Sequence, residues 1–111
     1  MYENKTFGEN PQIERYRVNN VDMVNIPYEI VEVSPGIYAW NTLTIKYINF
    51  NYGGIVDALI NLKYSSAQMT AVINNYLLDP TDESIKKEFN EMQEYRKYAK
   101  TTAHNIIEMN K

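Results

Sequence analysis

The tetrapeptide Asn51-Tyr52-Gly53-Gly54 separates two hydrophobic periods. Before it, apolar residues recur every second position. In "YEIVEV", residues 28–33, Tyr28 and Ile30 point one way and Val31 and Val33 the other. That is the pattern of a strand lying on a sheet. After the tetrapeptide the period becomes about 3.6, which is helical. A chain with all its strands first and all its helices after cannot form parallel β–α–β units. It reads as α+β, with a small antiparallel β-meander over about residues 13–50 and then three α-helices, the last of them long.

Several local signals set the boundaries. Asn19-Asn20 marks a turn after an irregular start through Ile13, Tyr16 and Val18. Ser34-Pro35-Gly36 reads as a type II turn, because proline presets φ at the first central position and glycine accepts positive φ at the second. "IYAWNTLTIKYINF", residues 37–50, continues as one or two strands rich in β-branched and aromatic residues. Pro27 is expected at a strand start, since it lacks the N–H a central ladder needs. In the helical half, Ile55, Val56, Leu59, Ile60 and Leu62 form one apolar face. Ser65 followed by Gln68 predicts a capping box for the next helix, whose face carries Met69, Val72, Ile73, Tyr76 and Leu77. In "DPTDES" Asp79 or Thr81 is the expected cap, Pro80 suits a first turn, and Asp82 and Glu83 complement the positive end of the last helix. That helix runs from about Asp82 toward Asn110 with Ile85, Phe89, Met92, Arg96, Ala99, Ala103 and Ile106 in a heptad stripe. It would extend ~30 Å or more, so its C-terminal half is expected to project beyond the core.

The 111 residues suffice for one compact domain, here residues 13–111, preceded by an extended arm over residues 1–12. "MYENKTFGENPQ" has too few apolar residues to fold alone and no apolar h-region, so it does not read as a signal peptide. The domain itself or a neighbouring chain has to hold it. No stretch approaches the ~18 apolar residues of a membrane span, so no membrane partner is expected. The net charge is −3, and both halves mix the two signs, so the basic footprint of a nucleic-acid partner is missing. The absence of cysteine excludes disulfides and thiolate metal sites.

No motif names a chemistry. His104 is the only histidine, and on a late helical turn it reads as an ordinary polar residue; no metal or other cofactor is expected. Gly53-Gly54 reads as a strand-to-helix turn rather than an anion cradle. Asp82, Glu83, Glu88 and Glu91 alternate with Lys86 and Lys87, as on a solvated helix face, and no catalytic acid pair is assigned. The chain therefore reads as a non-enzyme. The aromatic run Tyr38, Trp40, Tyr47, Phe50 and Tyr52 has Lys46 as its only cation and lacks the basic surround of a base-stacking platform. Tyr38 and Trp40 are expected to pack under the helices, or to meet a neighbour if their face is open. Beside the heptad stripe, Tyr95, Tyr98 and Thr102 widen the sticky face of the last helix, with Arg96 inside the stripe. They pack on their own chain or anchor another. With Tyr2 and Phe7 of the arm they are the candidate partner-binding residues, their partners being other protein chains.

Residues 59–100, "LINLKYSSAQMTAVINNYLLDPTDESIKKEFNEMQEYRKYAK", run helix, capped helix, acidic turn, then a Lys/Glu/Tyr-rich helix. This texture resembles the C-terminal part of small proteins of tailed phages infecting Bacteroidales, crAss-like phages included. The composition is similar too, with Asn, Ile, Tyr and Lys supplying 44 of the 111 residues. The resemblance implies a virion or accessory component without catalysis, made in the bacterial cytoplasm, and it transfers no individual residue. The expected function is a minor virion protein, a capsid auxiliary or head–tail component. The alternative is a small soluble phage-encoded regulator or inhibitor of one host protein.

Overall fold

A computed structural model of the chain describes residues 5–110. Four antiparallel strands come first: β1 (Thr6–Gly8), β2 (Glu14–Val18), β3 (Val21–Ser34) and β4 (Ile37–Lys46). Three helices follow: α1 (Tyr52–Asn61), α2 (Ser66–Leu78) and α3 (Glu83–Met109). The fold is α+β. The sheet order is β1-β4-β3-β2, so β2, β3 and β4 form the meander and β1 returns beside β4, as in a Greek key.

Each hairpin has its own turn chemistry. Val18 pairs with Val21 across Asn19 and Asn20, both at positive φ (49° and 65°). Two left-handed residues make the turn that matches strand twist, and asparagine accepts that region better than most residues. Gly36 has φ 78°, in keeping with a type II turn at Pro35-Gly36. A type II turn splays the strands it joins. β3 takes up the difference with register shifts between Tyr28 and Val31 and between Glu32 and Ser34. Pro27 lies inside β3 opposite Thr42, not at a strand start. β2 stops pairing at Asn25, so beyond that point β3 is an edge and a missing N–H costs no ladder bond.

The helices cover one face of the sheet. Val24, Ile26, Leu43 and Ile45 meet Ile55, Val56, Leu59 and Ile60 of α1 and Ala99, Ala103 and Ile106 of α3 in one core. Tyr38 and Trp40 alternate with the buried Ala39 and so lie on the other face, not under the helices. β4 ends at Lys46, and residues 47–49 curl into a 3-10 turn rather than continuing the strand to Phe50. The curl brings the Asn49 carbonyl to within 2.0 Å of where a Cβ on Gly54 would stand, so only glycine fits there. Asn51 caps α1, its side chain accepting from the Gly54 N–H at 2.8 Å.

The capping box of α2 is formed in both directions, at 3.1 Å (Gln68 N–H to Ser65 Oγ) and 2.7 Å (Ser65 N–H to Gln68 Oε1). The cap of α3 is Asp82, which accepts from the N–H groups of Ser84 and Ile85. Asp79 instead closes α2, and the Thr81 hydroxyl donates to its carboxylate, so neither is free to cap. The heptad stripe of α3 faces inward, but the helix overhangs at the end opposite to the one expected. Ala99, Ala103 and Ile106, mostly small, let the C-terminal half approach the sheet and lie fully buried. The N-terminal half lies against α2, through Val72, Met92 and a stacked Tyr76–Phe89 pair 4.1 Å apart. Leu62 (60% exposed) and Leu77 (71%) fall outside the apolar faces assigned to them: α1 packs mainly against the sheet and α3, and α2 mainly against α3.

Candidate functional site

The candidate docking residues of α3 lie along the seam between that helix, α1 and β3. Tyr95 is half-buried, and its hydroxyl donates to the Leu59 carbonyl at 2.7 Å. Its ring meets Tyr64 edge-on at 5.8 Å, with the Lys63 ammonium 5.1 Å from its centre. One turn on, the Tyr98 hydroxyl donates to the Glu29 carboxylate. Thr102 follows on the same side of α3. It lines a groove of about 320 Å3 with Pro27, Ile30, Asn105 and Met109. Arg96 is half-buried and donates to Gln93 of its own helix at 3.1 Å. The two tyrosine hydroxyls are thus engaged within the chain, and their ring edges, Arg96 and Thr102 form the accessible part of this face.

Glu29 is the centre of the seam, and the sequence did not single it out. At the first register shift Glu29 and Ile30 together oppose the single Trp40. Glu29 takes φ 52°, a region disfavoured for a residue with a Cβ, at a cost of about 1–3 kcal/mol. Its carboxylate accepts from Tyr98 and from Asn41 Nδ2 at 2.8 Å, with Lys5 Nζ at 3.6 Å. These charge-assisted contacts hold the strained backbone. They also tie three parts of the chain together: the residue before β1, the bulge of β3, and α3. The signal was hidden because Glu29 reads as an outward polar residue in an alternating strand.

The tyrosines around Glu29 are hard to ionise. Burial raises the pKa of Tyr98 most, the hydrogen bond to Glu29 and its negative charge add to the rise, and Thr102 opposes it. Tyr95 and Tyr28 are also raised, first by burial and then by the charge of Glu29. The cluster is a lock between elements. Its hydroxyls are held in their protonated form, as hydrogen-bond donors between α3, the sheet and α1.

Phe7 lies in β1 opposite Ala39, which pairs on its other side with Val31. Phe7 is 54% exposed and Val31 44%. Every β3 residue from Glu29 to Ser34 is exposed, so the tip of the β3–β4 hairpin overhangs the helices. Ile30 and Val33 add apolar area there. Tyr2 lies outside the described residues. His104 is exposed on α3. Among the described residues no group of three or more His, Cys, Asp or Glu is arranged to hold a metal ion, and no helix is long and apolar enough to cross a membrane.

Compared with protein-family models, curated proteins and solved structures, the chain matches none. The functional reading therefore rests on the seam and the overhang.

Proposed function

We propose that the chain is a non-catalytic structural protein that docks onto other protein chains, most concretely a minor virion component of a tailed bacteriophage at the capsid or head–tail region, assembled in the bacterial cytoplasm. The observation that carries this reading is the overhanging hairpin tip, where Val31, Val33 and Phe7 expose apolar side chains beside Ile30 at the rim of the α3 groove. Apolar area grouped at one end of a small protein is characteristic of interaction surfaces. Phe7, Arg96 and Thr102, the accessible edges of Tyr95 and Tyr98, and Tyr2 at the N-terminus are the docking residues of this reading. The biological setting is taken from the texture of residues 59–100 alone, which resembles that of small phage proteins.

Mass spectrometry of gradient-purified particles, against the soluble lysate of the same infected culture, tests the proposal. A fixed stoichiometry to the major capsid protein is the expected result. Recovery in the soluble fraction alone, bound to one host protein, favours the regulator reading and rejects the virion assignment. A Val31→Asp, Val33→Asp variant should fold and be lost from the particles.

A further inference from the structure

The face of the sheet away from the helices carries a hollow that the docking reading does not use. The chain must pass from β1 at one edge to β2 at the other through residues 9–13 alone. Three strand spacings are about 14 Å, Gly8 pairs at Tyr38 whereas Glu14 pairs at Asn25 further along the sheet, and the six steps from Gly8 to Glu14 reach only about 20 Å, so the connection has little slack. It brings Asn10 and Gln12 beside Trp40, and together with Glu14, Asn25 and Thr42 they line a hollow of about 250 Å3.

The lining has a definite chemistry. Trp40 supplies an aromatic surface, seated against Gly8 so closely that an added Cβ would lie 2.9 Å from its Cη2 atom. No described residue accepts from its indole N–H. Asn25 is fixed in orientation, because its Oδ1 accepts from the Tyr16 hydroxyl at 3.1 Å and the Thr44 hydroxyl at 2.8 Å. Its Nδ2 remains as a donor held in place. The side chains of Asn10, Gln12, Glu14 and Thr42 make no hydrogen bond within the described chain. The hollow thus joins one aromatic surface to donors and acceptors in mixture, with one carboxylate and no lysine, arginine or histidine. A phosphate or carboxylate ligand would meet Glu14 without a cation to offset it. A purely apolar ligand would strand the amides without partners. A pyranose ring satisfies both requirements: its C–H face stacks on an electron-rich ring, and its hydroxyls both donate and accept.

We propose that the hollow formed by Trp40, Asn10, Gln12, Glu14, Asn25 and Thr42 is a binding site for a neutral saccharide. Trp40 stacks on the sugar ring, Asn10, Gln12 and the Asn25 amide bind its hydroxyls, and Glu14 accepts from a hydroxyl pair. The site stands on this hollow alone and is independent of particle association.

Trp40 is the only tryptophan, so its fluorescence and its indole N–H resonance report on this hollow without interference. The test titrates the full chain with methyl glucoside, methyl galactoside, methyl mannoside and N-acetylglucosamine, in both anomeric forms, following fluorescence and two-dimensional 15N spectra. The expected result is a saturable shift for at least one sugar, involving the Trp40 indole and the side-chain amides of Asn10, Gln12 and Asn25. An Asn10→Ala, Gln12→Ala variant should weaken that binding at least tenfold without lowering the melting temperature, because both residues sit on the surface connection. No saturable change with any sugar overturns the proposal, as does binding that persists undiminished in the double variant. Tighter binding of glucose 1-phosphate or of a nucleoside overturns the assignment to neutral sugars.

Discussion

Glu29 concentrates strain and contacts at one position, and its removal separates the two. Glu29→Ala keeps the unfavourable φ and loses the acceptor for Tyr98, Asn41 and Lys5. It should lower stability by about 1–3 kcal/mol in urea unfolding. Tyr98, Tyr95 and Tyr28 give the same seam a pH dependence. Their pKa values are raised in the fold above the ordinary value of 10.0, so the folded state binds their protons more tightly than the unfolded state does. The stability they contribute is fully present below pH 10 and is lost as pH rises through the folded pKa values. Melting temperature should therefore fall from about pH 10 upward, and Tyr98→Phe should flatten that fall relative to the parent. An equally steep decline in the variant would remove Tyr98 from the account. The two adjacent glycines give a contrast of the same kind. Gly54→Ala drives a Cβ into the Asn49 carbonyl and should cost about 2 kcal/mol or more. At Gly53 the nearest atom is Asn51 Oδ1 at 3.6 Å, so Gly53→Ala should be neutral or stabilise by up to ~1 kcal/mol.

At the scale of elements, α3 is one continuous helix with two different environments. Ala99, Ala103 and Ile106 are sealed in the core with the sheet and α1, whereas Ile85 and Phe89 are only half-buried, Phe89 stacking on Tyr76 of α2. Native-state hydrogen exchange should show α2 and residues 83–92 opening together at a lower free energy than residues 99–106. Uniform protection along α3 would refute the division. This split also marks how far the sequence could be read. The capping box at Ser65 and Gln68, the Asn19-Asn20 and Pro35-Gly36 turns, and the break at Gly53-Gly54 depend on local chemistry, and each is readable within four residues. The heptad stripe was visible as well, but which half of it overhangs depends on where the sheet lies. β1 is three residues, Thr-Phe-Gly, too short to show alternation, and only its pairing with β4 makes it a strand. The Glu29 bulge arises from the mismatch between a turn six residues away and the twist of the hairpin, which no window on β3 alone contains. Of the candidate site, the tyrosines of α3 were visible as a strip, while their partner on the sheet was not. The hollow at Trp40 depends on a connection crossing the sheet, a property of topology rather than of spacing.

The whole molecule is longer than its length in residues requires. The radius of gyration is 16.8 Å, and the principal extents are 48, 37 and 25 Å. A compact chain of this size has a radius near 13 Å. The difference comes from two overhangs. The β3–β4 hairpin extends past the helices with Ile30, Val31 and Val33 exposed, and the α2–α3 pair carries Leu77 and Leu78 exposed at 71% and 85%. The edge of the hairpin is protected, since Pro27 and two register shifts interrupt the outer side of β3 and hinder strand-to-strand pairing. Its apolar face has no such protection. A solitary protein of this shape should therefore associate face to face as concentration rises, without adding strand. Small-angle scattering on a dilution series should show an apparent mass that climbs with concentration while the far-ultraviolet dichroism per residue stays constant. Val31→Lys with Val33→Lys should hold the apparent mass at the monomer value and leave the melting temperature unchanged, because neither side chain belongs to the core. A variant that still associates would move the sticky surface to the other end, where Leu77→Lys with Leu78→Lys becomes the decisive pair. A gain in strand signal with association would show that the edge, despite Pro27 and the bulges, is the part that joins.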